Sequence, residues 1–165
     1  MRLFSRLLTT GVLISATALS GSATAVAVGT EAPPTGVEDF EYPQADKIFK
    51  ERGIKLKRGD GHITLATCGS RPGLIEVYAQ GMLDVDPVGK GKFCFRVSGK
   101  TGYLSLELPN VYGAKGNDYA VRLNMVTDTT GKSWTLNKNN WTEVGQTDDK
   151  PLEREFRLLE IVASK

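Results

Sequence analysis

The residues that could carry out chemistry are few in this sequence. His62 is the only histidine, and no Gly-x-Ser-x-Gly motif marks a nucleophilic serine. Asp60 lies two residues before His62, but no serine can be placed beside that pair from the sequence. We therefore expect His62 to be an exposed or half-buried strand residue, with general-base catalysis as the minor alternative.

Metal ligands are also scarce. A catalytic zinc site needs three protein ligands and a structural site needs four, whereas the chain has one histidine and two cysteines. The pair Asp84 and Asp86 resembles the start of a calcium loop, but Pro87 and the lack of later acids break that pattern. We predict no metal site and no cofactor, and calcium bound by oxygens from distant loops stays open.

Paired carboxylates are the one enzymatic arrangement that the sequence allows. Glycoside hydrolysis needs two acids about 5–10 Å apart, and Glu76 and Glu107 both point outward on predicted strands. Outward acids on strands usually only keep a sheet soluble, so the interpretation favours a protein that is not an enzyme. A small carboxylate-pair glycoside hydrolase remains an alternative.

Aromatic side chains offer a binding function. Tyr78 and Tyr103 point away from the apolar faces of their predicted strands, and Tyr112 and Trp141 fall in predicted loops. Rings with a polar group suit both sugar faces and protein interfaces. If the four rings share one surface, they indicate a binding site, which strand parity alone cannot establish.

A basic segment could bind an anionic polymer such as a teichoic acid. It comprises Lys47, Lys50, Arg52, Lys55, Lys57 and Arg58, with Glu51 as the only acid among them. Lysines on an edge strand also prevent sheets from pairing edge to edge, and we favour that explanation. The tripeptide Arg58-Gly59-Asp60 is interpreted as part of a hairpin turn. The pattern Asn140-Trp141-Thr142 fits a glycosylation acceptor, which means little if the source is bacterial.

The elements that must position these residues follow an apparent export signal. Arg2 and Arg6 precede an apolar stretch over 7–19, and Ala25-Val26-Ala27 has the small-x-small pattern of a cleavage site. We predict a signal peptide over 1–27, a flexible mature N-terminus over 28–41 and one domain over 42–165. Cleavage leaves 19 basic and 19 acidic residues, since both arginines are lost. This balance argues against nucleic acid as a partner.

The pattern of apolar residues predicts an all-β fold. A short helix is expected within 42–53, ending at Gly53. From Ile54 onward apolar residues alternate, most clearly at Leu104, Leu106 and Leu108, which indicates seven to nine short strands. We predict a jelly-roll-like antiparallel β-sandwich, with a closed β-barrel as the alternative. In an oxidising compartment Cys68 and Cys94 should pair, as an outer link within one sheet and not across the core.

Three segments resemble a group of small secreted proteins and modules of Streptomyces-like actinomycetes. They are IKLKRGDGHITLATC, FCFRVSGKTGYLSLELPNVYGAKGNDYAVRL and the closing NNWTEVG…FRLLEIVAS. The resemblance spans about residues 42–165 and implies a β fold, but no activity and no site residue.

The sequence therefore predicts a secreted, extracellular and monomeric binding module with no membrane anchor after cleavage. Its expected partner is a cell-wall or environmental polysaccharide. A protein-binding module, such as an inhibitor of an extracellular enzyme, is the other non-catalytic alternative.

Overall fold

A computed structural model describes residues 40–165. The predicted signal peptide and residues 28–39 of the predicted flexible N-terminus lie outside the described residues. The last two residues of that segment, Phe40 and Glu41, form a short strand that pairs with Gly59 and Arg58. Phe40 and Glu41 are therefore part of the β structure although they precede the predicted boundary at residue 42.

The described chain contains eleven strands, one α-helix and one short 3₁₀ helix at Gly145–Asp148. The helix α1 spans Ala45–Arg52, between the first two strands. The strands are β1 Phe40–Glu41, β2 Lys55–Gly59, β3 Ile63–Ala66, β4 Ile75–Ala79, β5 Lys92–Val97, β6 Thr101–Leu108, β7 Val111–Lys115, β8 Ala120–Val126, β9 Gly131–Thr135, β10 Trp141–Glu143 and β11 Arg157–Ser164.

The strands form two antiparallel sheets that pack face to face. The six-stranded sheet has the order β1-β2-β6-β11-β8-β9, and the five-stranded sheet has the order β10-β7-β4-β5-β3. Because no strand joins one sheet to the other by hydrogen bonds, the described domain is an all-β sandwich and not the alternative closed barrel. This confirms the predicted fold class.

The alternating apolar residues fill the space between the sheets. Leu104, Leu106 and Leu108 of β6 are fully buried, and Phe93 and Phe95 of β5 are buried against them in the same core. Residues between these positions point outward, as strand geometry requires. A register shift between Leu158 and Glu160 interrupts the alternation in β11. The outer face of each sheet is therefore left for polar and aromatic residues.

Helix α1 ends where the sequence predicts. Gly53 has φ 66°, and its amide donates a hydrogen bond to the carbonyl of Phe49 at 2.9 Å. Glycine adopts this left-handed conformation without the steric cost that other residues incur. The helix buries none of its side chains completely, so it covers one end of the sandwich and does not form its core.

The disulfide lies within the five-stranded sheet. Cys68 follows β3, and Cys94 lies on β5 beside Ala66, its register partner on β3. Phe93 and Phe95 enter the core while Cys94 has the opposite orientation. The predicted outer link within one sheet is confirmed, although Cys94 itself is only 1% exposed.

The predicted hairpin at Gly59-Asp60-Gly61 is wrong. Strand β2 belongs to the six-stranded sheet and β3 to the five-stranded sheet, so the chain crosses from one sheet to the other at this turn. Gly59 is needed because a Cβ there would lie 2.6 Å from the carbonyl oxygen of Tyr103 on the paired strand. The glycine pattern marked a bend correctly but could not reveal which strands it separates.

Candidate functional site

The outer face of the five-stranded sheet collects three of the four aromatic residues that the sequence singled out. Trp141 on β10 lies opposite Lys115 on β7, which in turn lies opposite Glu76 on β4. Tyr78, two residues after Glu76, lies opposite Gly113. All point away from the core, because the residues between them, such as Val77 and Ala114, are buried inside it.

The three rings form one contiguous cluster, called here the aromatic cluster: Tyr78, Tyr112 and Trp141. The ring centroids of Tyr78 and Trp141 are 5.1 Å apart in an edge-to-face arrangement. Tyr112 lies 6.3 Å from each of the other two rings. These separations are within the range of favourable aromatic pairs. Because the planes are inclined by 53° to 64°, the cluster presents tilted surfaces and not one flat platform.

A bulge in the sheet brings Tyr112 to this face. The pairing of β4 with β7 shifts between Tyr78 and Ala79, so that Tyr78 pairs with Gly113 and Ala79 pairs with Val111. Tyr112 is the extra residue on β7. Bulges redirect side chains in this way and often occur at functional sites.

Gly113 provides the space in which the indole of Trp141 lies. A Cβ at Gly113 would overlap the six-membered part of the Trp141 ring. The ring therefore rests against bare backbone, an arrangement known to stabilise glycine in strands. Trp141 is still 40% exposed, so part of its ring remains accessible to a ligand.

Polar groups border the aromatic cluster. The hydroxyl of Tyr78 donates a hydrogen bond to Glu76 Oε2 at 2.7 Å, and Lys92 Nζ lies 2.9 Å from the same oxygen. Burial of the Glu76 carboxyl alone would raise its pKa, but the bonds from Tyr78 and Lys92 outweigh burial, and the pKa of Glu76 is lowered. Glu76 is therefore an ionised acceptor at neutral pH.

Lysine side chains add donors to the same surface. Lys92 Nζ lies 5.3 Å from the centre of the Tyr78 ring, a cation–π distance. Lys115 is exposed and is the register partner of Trp141 on one side and of Glu76 on the other. It forms no ion pair in the described part of the chain. The flat apolar face of a ligand can thus stack on the rings of this surface. Hydroxyl groups of the same ligand can accept hydrogen bonds from the lysines and donate them to Glu76.

Tyr103 does not belong to the aromatic cluster. It lies on β6 in the six-stranded sheet, and its hydroxyl donates a hydrogen bond to Glu160 Oε1 at 3.2 Å. Its outward orientation was predicted correctly, but parity cannot say to which of two sheets a strand belongs. Tyr112 and Trp141 were expected in loops and lie on strands β7 and β10.

The predicted basic segment is not a continuous patch of free cations. Lys47 pairs with Glu51 at 3.9 Å, and Lys57 Nζ lies 2.5 Å from Glu107. Arg52 is turned inward, with its side chain only 15% exposed. Lys50 and Lys55 remain exposed, whereas Arg58 occupies β2 beside β1. Two of these cations, Arg52 and Lys57, are thus paired with acids distant in sequence, which composition could not show.

Asp86 explains the inward position of Arg52. Its carboxylate is fully buried, forms two hydrogen bonds with the guanidinium of Arg52, and accepts the amides of Gly89 and Gly91 at 2.9 and 3.0 Å. Burial acts to raise the pKa of Asp86, but the bonds from Arg52 and these two amides outweigh it, so the pKa is lowered. Both carboxylate oxygens are thus already used, which removes Asp86 from the suggested calcium loop.

No group of acids, histidines or cysteines among residues 40–165 is arranged to hold a metal ion. His62 is exposed, and its Nδ1 lies 3.6 Å from Asp60 Oδ2. His62 was expected on a strand, but it lies immediately before β3, which begins at Ile63. The nearby hydroxyl of Ser98 donates to the backbone carbonyl of His62 at 3.3 Å.

The proposed carboxylate pair does not share a cleft. Glu76 lies on the outer face of the five-stranded sheet and Glu107 lies on the six-stranded sheet, next to Lys57. The hydrogen bond from Lys57 lowers the pKa of Glu107. A general acid in glycoside hydrolysis needs a raised pKa, so neither position nor ionisation suits this pair to that reaction.

Sequence reasoning missed the residues that complete the site: Lys92, Gly113 and Lys115. Lys92 and Lys115 border the aromatic cluster, and Gly113 makes room for it, only because β10, β7, β4 and β5 are neighbours in the sheet. Gly113, within the segment YGAK of β7, is the one signal in the sequence. A glycine inside a strand indicates that another group approaches the backbone closely.

Comparisons with known proteins do not assign a function to this site. No protein-family model matches the chain, and a search of curated proteins finds no significant match. Among residues 40–165, no helix is both long and apolar enough to cross a membrane.

Proposed function

We propose that the protein is a secreted, non-catalytic module that binds a polysaccharide of the cell wall or the surroundings through the aromatic cluster. The observation that carries the proposal is the convergence of Tyr78, Tyr112 and Trp141 on one exposed sheet face. Sugar rings have apolar C–H faces and hydroxyl edges, so they match aromatic rings that are bordered by hydrogen-bonding groups.

The polar border of the cluster supports this proposal. Glu76 is held ionised and can accept from sugar hydroxyls, and the lysines at 92 and 115 can donate to them. The Tyr78–Glu76–Lys92 contacts also fix the side chains before a ligand arrives. Such preorganisation reduces the entropy lost on binding.

Export is the other part of the proposal. The N-terminal pattern of arginines, an apolar stretch and Ala25-Val26-Ala27 is typical of a cleaved signal peptide. The Cys68–Cys94 disulfide suits an oxidising compartment. An extracellular location would place the aromatic cluster within reach of wall polymers and environmental glycans.

Retention on insoluble glycans tests the binding function. Purified protein would be mixed with cell-wall sacculi, chitin and cellulose, and the bound fraction measured over a range of protein concentrations. We expect Trp141→Ala and Tyr112→Ala each to weaken retention at least ~10-fold, because a central aromatic contact contributes more than about 1.4 kcal/mol to binding.

Tyr103→Ala is the matched control, since it removes a tyrosine from the other sheet. Retention of this variant should equal that of the unchanged protein, and thermal unfolding should show that every variant is folded. Absence of retention on all glycans would refute the proposal. Equal losses in Tyr103→Ala and Trp141→Ala would refute the assignment of the site.

A further inference from the structure

An exposed apolar patch lies at the end of the sandwich covered by α1. Three large hydrophobic residues with exposed side chains, Phe49, Val85 and Val88, line one shallow groove of about 840 Å³. Leu83, in the same loop, is 67% exposed, and Val88 is 75% exposed. These four residues are called here the apolar patch. Clustered exposure of this kind is typical of interaction surfaces, whereas scattered apolar residues are not.

The apolar patch is held rigidly, although it is built from a helix and a loop. The buried Arg52–Asp86 ion pair joins the end of α1 to the loop between β4 and β5. A Cβ at Gly53 would lie 2.9 Å from Val85, so the helix end and the loop are in tight contact. The surface needs little ordering before it can bind a partner.

Two opposite charges on the groove have no partner within the described chain. Lys50 of α1 and Asp84 of the loop both line it, yet neither forms an ion pair there. Glu51, the other charged lining residue, already pairs with Lys47. One surface therefore carries an unpaired cation, an unpaired anion, projecting apolar side chains and a recess.

We propose that two copies of this chain associate through the apolar patch about a two-fold axis. A two-fold interface is formed by the same surface of both copies. If one residue of the first copy contacts a different residue of the second, the same contact is repeated with the two copies exchanged. Val88 of one copy enters the groove of the second, and Lys50 of each copy faces Asp84 of the other. Both charges then gain a partner, and the apolar side chains leave water.

The proposal replaces the monomer expected from the sequence. The apolar patch brings Phe49 together with residues more than 30 positions further along the chain, so no local sequence pattern marks it. It does not depend on the proposed glycan-binding function, because the aromatic cluster shares no residue with the patch.

Sedimentation equilibrium of the purified protein tests the association. The expected result is a reversible monomer–dimer equilibrium whose mass rises with concentration. Val88→Asp should weaken dimerisation at least ~10-fold, because it places a carboxylate in an apolar contact. Leu152→Asp is the control: Leu152 is 66% exposed but lies outside the patch, and this change should leave the equilibrium unaltered.

Charge exchange tests the pairing itself. Lys50→Glu and Asp84→Lys should each weaken the dimer, since each creates two like-charge contacts, and the double variant should regain dimerisation. A single monomeric mass up to millimolar concentration would overturn the proposal and leave the patch to a different protein. A dimer that Val88→Asp leaves intact would also overturn it, since the interface would lie elsewhere.

Discussion

Gly113 and Trp141 show how a binding surface can depend on a missing side chain. The indole lies where a Cβ of residue 113 would be, and this position sets its distance from Tyr78 and Tyr112. Any larger residue at 113 must lift the ring from the sheet. The geometry of the aromatic cluster is therefore determined by a residue that cannot itself contact a ligand through a side chain.

We expect Gly113→Ala to reduce glycan retention while the domain stays folded. The added methyl displaces the ring, and such overpacking costs about 1–3 kcal/mol. Retention assays and urea unfolding measure the two effects. Gly131→Ala is the control, because a Cβ at Gly131 would meet only Val126 at 3.8 Å. Unchanged retention in Gly113→Ala would show that the position of Trp141 is unimportant.

Asp86 makes the clearest electrostatic contribution at the scale of a single residue. We expect Asp86→Asn to lower the free energy of unfolding at pH 7 by about 3 kcal/mol or more, because it leaves the guanidinium of Arg52 without its buried partner. Urea unfolding at fixed pH measures this loss. A loss below about 1 kcal/mol would show that the pair is not important for stability.

The same variant predicts a pH dependence. The pKa of Asp86 is lower in the folded protein than in the unfolded chain, so its stabilising effect is complete above about pH 4. The effect is lost as the pH falls through the lowered folded pKa. The difference in unfolding free energy between the protein and Asp86→Asn should therefore shrink in acid. A constant difference from pH 7 to pH 2 would contradict this.

At the scale of elements, the disulfide fastens the loop after β3 to β5. Strand β3 is an edge strand of the five-stranded sheet and has only β5 as a neighbour. The cysteines are separated by 26 positions, and closing a loop of that size restricts the unfolded chain. The link therefore fastens one edge of the five-stranded sheet.

We expect reduction of the disulfide to lower the free energy of unfolding by roughly 3–4 kcal/mol on the chain-entropy model. Urea unfolding with and without a reducing agent measures the change. The double variant Cys68→Ser, Cys94→Ser should be equally destabilised and should not respond to the reducing agent. A reductant effect in that variant would mean that another process is being observed.

The sequence predicts elements well where large apolar residues alternate regularly and poorly where that alternation is interrupted or very short. The alternation of leucines was sufficient to predict β6, and Gly53 was sufficient to predict the end of α1. Both features depend on burial and backbone conformation close by in the sequence. Strands β7 and β10 were missed: β7 contains Gly113, and β10 is a three-residue edge strand. The crossing at Gly59-Asp60-Gly61 was taken for a hairpin because sheet membership depends on distant strands.

For the site, the sequence identified the residue types but not their grouping. Tyr78, Tyr112 and Trp141 come from three strands, and only the strand order β10-β7-β4 makes them neighbours. Tyr103 has the same local character and lies on the other sheet. No local pattern separates these two cases, because the difference between them arises from long-range pairing.

At the scale of the whole molecule, the aromatic cluster and the apolar patch are separate surfaces of one rigid domain. If two copies associate, each assembly carries two glycan sites. A repetitive polymer can occupy both, and the second binding step then occurs at a high effective concentration. Weak individual sites can in this way give firm attachment to an insoluble wall.

We therefore expect Val88→Asp to weaken retention on insoluble glycan by about 100-fold or more, the gain typical of two linked sites. Binding to a short soluble oligosaccharide should be unchanged, because one site suffices there. Calorimetry with the oligosaccharide and retention on the insoluble glycan measure the two quantities. Equal effects on both would show that Val88→Asp disturbs the site itself.

The position of β11 has a consequence for how the molecule is made. This strand is the last of the eleven, yet it lies in the middle of the six-stranded sheet, between β6 and β8. Until residues 157–164 have been synthesised, β6 and β8 cannot be joined, and the sheet remains in two parts. The sandwich can therefore close only after β11 has left the ribosome, so the two parts of the six-stranded sheet must wait for a strand made late in synthesis.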